Sequence, residues 1–303
     1  MRKTSRREFI GLLGATGAGL LAACTEAAGQ ARAVNNDELG MLYDATRCVG
    51  CKACMTACKR VNFESCALSY EQAPFDPDGL WDAPDDLSGS TRTLIKLYKE
   101  NPTRWSYVKY SCMHCQEPSC VSVCPVSAMT KDKVTGIVDY DKMKCIGCRY
   151  CQIACAFNIP RFQWDRKAPQ IVKCDLCRHT NLRVKRLPAC AEVCPAGAIS
   201  FGKRGALLQD ARARIKADPA RYVDYIYGEH EVGGTNQLYL AGLPFSDLGF
   251  RKLPDRAPAE FSEHIQHTIY QGFIAPVALY GIFFAIALRN RRKAQSAGTE
   301  KGE

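Results

Sequence analysis

The spacing of the cysteines limits this chain more than any other feature. Sixteen of its 18 cysteines fall into four groups of four. Cys48, Cys51, Cys54 and Cys58 follow the pattern C-x2-C-x2-C-x3-C, and Cys145, Cys148, Cys151 and Cys155 repeat it. Cys112, Cys115, Cys120 and Cys124 run into Pro125, and Cys174, Cys177, Cys190 and Cys194 run into Pro195. In these two groups one spacer is lengthened, to four and twelve residues, while the Cys-x3-Cys-Pro ending survives. With 303 residues, 47% of them apolar, the chain can bury a real core and is no disulfide-dense mini-domain.

The spacing has a physical reason. C-x2-C-x2-C wraps a tight loop around one small object and aims three sulfurs at it. A cysteine placed four positions later lies across the next helical turn and reaches a neighbouring cluster, as in two-cluster bacterial ferredoxins. Paired C-x2-C groups also bind structural zinc, exported proteins form disulfides, and some cysteines are plain buried thiols. Zinc knuckles leave the tight triple motif unexplained, and disulfides leave four quartets with matching ends unexplained. The expectation is therefore four 4Fe–4S clusters. Cys66 belongs to no quartet and is read as a buried thiol.

Neighbouring residues agree. Gly50 and Gly147 let the backbone approach a cluster so that amide N–H groups can reach sulfur, and Val49 and Ile146 are expected to shield it from water. Pro125 and Pro195 should end short helices. The segments Val126–Met129 and Ala196–Phe201 are plausible strands, and Asp132–Gly136 is expected to turn back into Ile137–Tyr140 as a hairpin. Lys52 and Arg149 beside the ligands either raise a potential electrostatically or are solvated surface groups.

The formal charge of +10 would suit nucleic acid or anionic lipid. Each thiolate-bound cluster carries about −2, however, so four contribute roughly −8 that the formal count omits. No aromatic-interleaved basic stripe points to nucleic acid. No nucleophile–base pair, phosphate loop or nickel-site motif is visible, so the chain is not expected to be an enzyme alone. A structural or redox-sensing regulator is the reading from another class, disfavoured by the two ends of the chain.

Ser5-Arg6-Arg7-Glu8-Phe9-Ile10 resembles a twin-arginine export signal, followed by an apolar run from Gly11 to Ala23 too short to span a bilayer. Leu21-Ala22-Ala23-Cys24 resembles a lipobox, so Cys24 is either a lipidated N-terminus or leaves with a signal cut near Ala33. Ile269 to Leu288 is uncharged and long enough to span a bilayer, and the basic Arg289–Lys293 places its far end in the cytoplasm. A buried core helix is the alternative, which leaves the basic stop unexplained. Five parts follow: a signal (1–33), a cluster domain (39–202) with a surface insert (63–107), a docking tail (203–263) that is helical near Gly205–Ala217, a membrane helix (269–288) and a basic end (289–303).

Over about Leu39 to Arg204 the motifs resemble those of the four-cluster ferredoxin subunits of membrane-bound oxidoreductases, including formate dehydrogenases and sulfoxide or polysulfide reductases. The resemblance implies an α+β fold of two interleaved ferredoxin-like 4Fe–4S units, completed here by the C-terminal transmembrane helix. It also implies the ligand sets. Cys48, Cys51, Cys54 and Cys194 would hold one cluster, and Cys58, Cys174, Cys177 and Cys190 a second. Cys112, Cys115, Cys120 and Cys155 would hold a third, and Cys124, Cys145, Cys148 and Cys151 a fourth.

Leu39-Gly40-Met41-Leu42-Tyr43-Asp44, Met113-His114-Cys115, Gly233-Gly234-Thr235 and Glu263-His264-Ile265-Gln266-His267-Thr268 resemble the family of hydrogenase-2 iron–sulfur subunits more closely. That resemblance implies a nickel–iron hydrogenase and a quinone-reactive integral membrane subunit as partners, on the periplasmic side of the bacterial inner membrane. A formate dehydrogenase or molybdopterin reductase complex is the alternative setting. His264 and His267 either meet a partner's haem or quinone or are interfacial.

Overall fold

Short spacers within the cysteine groups leave room for little more than single-turn helices, and the longer helices and strands lie or extend beyond those groups. In the computed structural model, residues 34–62, 86–260, 263 and 274–299 are described. In chain order, β1 (Leu39–Asp44) leads to α1 (Ala53–Val61) and the hairpin of β2 (Leu94–Asn101) and β3 (Arg104–Tyr110). Then come α2 (Ser119–Ser122), the hairpin of β4 (Met129–Lys131) and β5 (Val138–Tyr140), and α3 (Tyr150–Ile153). The pair β6 (Arg161–Phe162) and β7 (Ile171–Val172) follows, with α4 (Asn181–Lys185), α5 (Ala189–Glu192), β8 (Ile199–Lys203), α6 (Arg204–Ala217), β9 (Gln237–Leu240) and α7 (Ile274–Thr299). The result mixes short helices with small sheets, as the α+β expectation required.

β1 organises the larger of two units, residues 31–259. It pairs antiparallel with β8 and parallel with β9. Its side chains alternate in the period of two that a strand imposes. Leu42 packs with Leu207, Leu208 and Ala211 of α6. Met41 and Tyr43 join the cluster of buried side chains that holds Cys54, Cys112 and Cys190. One face of the sheet is thus an aliphatic layer and the other is lined by thiols.

Two segments lie deeper than the sequence suggested. The expected docking tail supplies β9, and Leu238, Tyr239 and Leu240 are buried beside β1. Within the expected surface insert, Leu87, Leu94 and Ile95 belong to the core. Pro and Gly near both segments signal breaks in regular structure and carry no information about which apolar residues between them are long-range partners. Cys66 lies outside the described residues, as do Cys24, the twin-arginine segment, His264 and His267.

α7 belongs to the second unit and continues unbroken through the basic Arg289–Lys293. Its described apolar side chains, among them Val277, Ile282, Phe283 and Ile286, are exposed. Among the described residues no helix is long and apolar enough to cross a membrane. The first five residues of the expected 269–288 span lie outside the described residues.

Candidate metal centres

The first and third cysteine groups follow the same local path. Gly50 and Gly147 have φ of 70° and 72°, and Lys52 and Arg149 have φ of 56° and 62° as caps of α1 and α3. A Cβ on Gly50 would meet the Tyr107 ring at 2.2–2.6 Å, so this loop is pressed against β3 in a way only glycine permits. Val49 and Ile146 do not shield the loops as expected; they are 60% and 65% exposed. The tight turn points the side chain between the first two cysteines outward. Arg149 is half-buried and its guanidinium lies over the Trp164 ring, 4.6 Å from the centroid.

The second and fourth groups share a different device. α2 and α5 each start after a proline, Pro118 and Pro188, two positions before the third cysteine. An extended proline presets the entry into one helical turn. Both helices end ahead of Pro125 and Pro195, which stand beyond the last cysteine instead of stopping the helix.

A third regularity orients sulfur. Ser127, Asn158 and Gly197, each three positions after a last cysteine, adopt φ of 50°, 53° and 58°. The turn aims the next amide back at the sulfur. The N–H groups of Ala128, Ile159 and Ala198 donate to Cys124 Sγ at 3.2 Å, Cys155 Sγ at 3.5 Å and Cys194 Sγ at 3.3 Å. Cys58 departs from the pattern because α1 runs on past it. There the side-chain amide of Asn62 donates to Cys58 Sγ at 3.7 Å and Cys177 Sγ at 3.6 Å. Asn62 was missed in the sequence, although it stands at the position where the other three groups place an amide.

The fold brings the first group beside the fourth and the second beside the third. α1 packs on α5, and α2 on α3. One small cavity is lined by Cys58, Cys174, Cys177 and Cys190, and another by Cys48, Cys51, Cys54 and Cys194. Burial pushes the Cys58 thiol well up, and Cys174, Cys177 and Cys190 push it further. Burial likewise raises Cys115, followed by the nearness of Cys155, Cys120 and Cys112. Cys151 is pushed up to about 11 by burial and then by Cys145, Cys148 and Cys124.

These environments fit metal-bound clusters. Four buried thiols cannot all ionise beside one another without a cation to replace their protons, and iron supplies one. All sixteen described cysteines are free of disulfides. His114, between Cys112 and Cys115, accepts the Val138 N–H through Nδ1 at 3.0 Å, while its buried Nε2 has no partner among the described residues. Among the described residues no three His, Cys, Asp or Glu side chains close on a single ion. A cubane binds its thiolates at four separate iron corners, so such convergence is not required.

Soft thiol donors grouped in buried and half-buried sites, with N–H groups aimed at sulfur, define an iron–sulfur electron carrier. The 4Fe-4S dicluster domain family matches residues 103–204. The hydrogenase-2 operon protein HybA of Escherichia coli O157:H7 is 37% identical over 333 aligned residues, 99% of each chain. The iron-sulfur subunit of the nitrate-inducible formate dehydrogenase of Escherichia coli is 31% identical over 255 residues, 82% of each chain. Protein NrfC of Escherichia coli is 36% identical over 249 residues, covering 80% of this chain and 98% of the relative. The chain belongs to this family of ferredoxin-type iron–sulfur proteins and is an electron-transfer subunit of a membrane oxidoreductase complex.

Proposed function

We propose that the chain carries four 4Fe–4S clusters and conducts electrons between a periplasmic nickel–iron hydrogenase and a quinone-reactive integral membrane subunit. The observation that carries the reading is the similarity to the hydrogenase-2 operon protein along 99% of both chains. The clusters, when bound, supply one-electron redox chemistry. Cys48, Cys51, Cys54 and Cys194 hold one; Cys58, Cys174, Cys177 and Cys190 a second; Cys112, Cys115, Cys120 and Cys155 a third; Cys124, Cys145, Cys148 and Cys151 the fourth. The pairing of first with fourth group and second with third supports these sets.

The protein's own part is to hold and tune. The sixteen thiols give up their protons on binding iron. The amides of Ala128, Ile159 and Ala198 and the side chain of Asn62 donate to sulfur, which favours added negative charge there. The buried sheet face of Met41 and Tyr43 keeps water from the thiols.

Export on the twin-arginine route would carry the cluster unit to the periplasm already folded, since iron and sulfide are received in the cytoplasm. The mature chain then begins at Cys24, lipidated, or near Val34. A membrane span over 269–288, ending at the basic Arg289–Lys293, would anchor it. The 31% identity to a formate dehydrogenase subunit over 82% of each chain favours formate dehydrogenase or a molybdopterin reductase as the second setting. Purification from native membranes tests the choice. A co-purifying nickel–iron subunit and loss of hydrogen-dependent quinone reduction on deleting this chain are expected. Co-purification with a molybdopterin subunit alone would transfer the chain to the second setting.

A further inference from the structure

Lys109 stands on β3 with 1% of its surface exposed. Its Nζ donates to Ser111 Oγ at 2.8 Å, an uncharged partner. Among the described residues no ion pair joins it to a carboxylate, whereas Lys131 pairs with Glu38 at 2.9 Å. A buried ammonium without a counter-charge is costly, so its place needs an anionic neighbour. The cavity it lines supplies one, because Cys58, Cys174, Cys177 and Cys190 line the same space. Arg92 lines that cavity too, but it is paired with Asp175 at 2.8 Å.

We infer that Lys109 is a buried cation shared by two neighbouring centres, those of Cys48, Cys51, Cys54 and Cys194 and of Cys58, Cys174, Cys177 and Cys190, and that it raises the potentials of both. The inference rests on the ligand sets proposed above. Sharing is supported by position. Lys109 lines the cavity of Cys58, Cys174, Cys177 and Cys190, and its cross-strand partner on β2, Ile95, lines the cavity of Cys48, Cys51, Cys54 and Cys194. Each added electron makes a thiolate-bound centre more negative. A fixed cation in a poorly solvated site stabilises that reduced form more than the oxidised one. A side chain placed between two such sites acts on both and leaves the remote pair alone, making Lys109 a positioning residue for electron energy and not a ligand.

The test is an EPR-monitored redox titration of the complex carrying Lys109→Met or Lys109→Arg, with iron counted in each sample. In Lys109→Met two centres should fall in potential by at least tenfold in their reduced-to-oxidised ratio, about 59 mV for one electron. The other two should hold, and Lys109→Arg should keep all four near the parent values. Four unchanged centres, a shift in only one, or equal shifts in the Met and Arg variants would each overturn the inference. If Lys109→Met loses iron, retention of iron and potentials in Lys109→Arg supports the charge role, and loss in both overturns it. Iron well below about sixteen per parent chain would instead refute the four-cluster reading itself.

Discussion

Asn62 Nδ2 lies 3.6 Å from Cys177 Sγ and donates to it across 115 residues of chain. Its Oδ1 accepts from Arg92 Nη1 at 3.3 Å and from Thr180 Oγ1 at 3.5 Å, which fixes the amide orientation. The same Nδ2 reaches Cys58 Sγ, so one side chain serves two sulfurs from separate motifs. Asn62→Leu should leave the iron content intact and lower the potential of one centre, by about tenfold in its reduced-to-oxidised ratio, ~59 mV. An EPR-monitored titration checks this; an unshifted set of potentials would remove Asn62 from the tuning network.

The two equivalent glycines should respond unequally to alanine. At Gly50 a methyl group faces both a φ of 70° and the Tyr107 ring within 2.6 Å. At Gly147 the φ is 72°, but the nearest atom, on Phe162, is 3.7 Å away. Backbone strain costs about 1–3 kcal/mol at either site. Gly50→Ala should therefore destabilise the assembled protein more, and adding Tyr107→Ala should recover part of the difference. Denaturant unfolding of the three variants provides the comparison.

Asp132 links the β4–β5 turn to Arg178. Its Oδ1 accepts the N–H groups of Val134 at 3.0 Å and Thr135 at 2.7 Å, and Oδ2 meets Arg178 at 2.7 Å. The Thr135 N–H above all holds its carboxyl down to about 2. A carboxyl depressed in the folded state stabilises above its unfolded pKa, about 3.9, and ceases to as pH falls through about 2. Asp132→Asn should thus unfold faster than the parent above about pH 4, with the gap closing towards pH 2. Stopped-flow acid jumps, read before iron is lost, test that window.

Truncation after Phe261 should release a soluble protein that keeps its clusters and accepts electrons from a reductant, yet loses quinone-linked activity in membranes. Fractionation and hydrogen-dependent quinone reduction measure the two halves of this outcome. Full quinone reduction by the shortened chain would make the C-terminal helix a tether only.

The parts legible in the sequence were those governed by local spacing. The cysteine groups, the αL-permitting glycines, the hairpin after Asp132 and the helix now seen as α6 each depend on residues within one or two turns of one another. The parts that escaped depend on distant partners. Nothing local in Gln237–Leu240 says that it will lie parallel to β1, nearly 200 positions away. Lys109 looks like an ordinary surface lysine on an alternating strand until the cysteines of two other motifs are folded around it. Asn62 was hidden because its group alone extends a helix past its last cysteine, replacing a backbone donor with a side chain.

Anaerobic coulometric titration of the purified, iron-loaded protein decides whether this chain is a four-centre electron wire. Uptake of about four electrons per chain in one-electron steps, reversible on reoxidation, is expected. Uptake of two or fewer electrons by protein whose sixteen cysteines are all metal-bound would show that it is not.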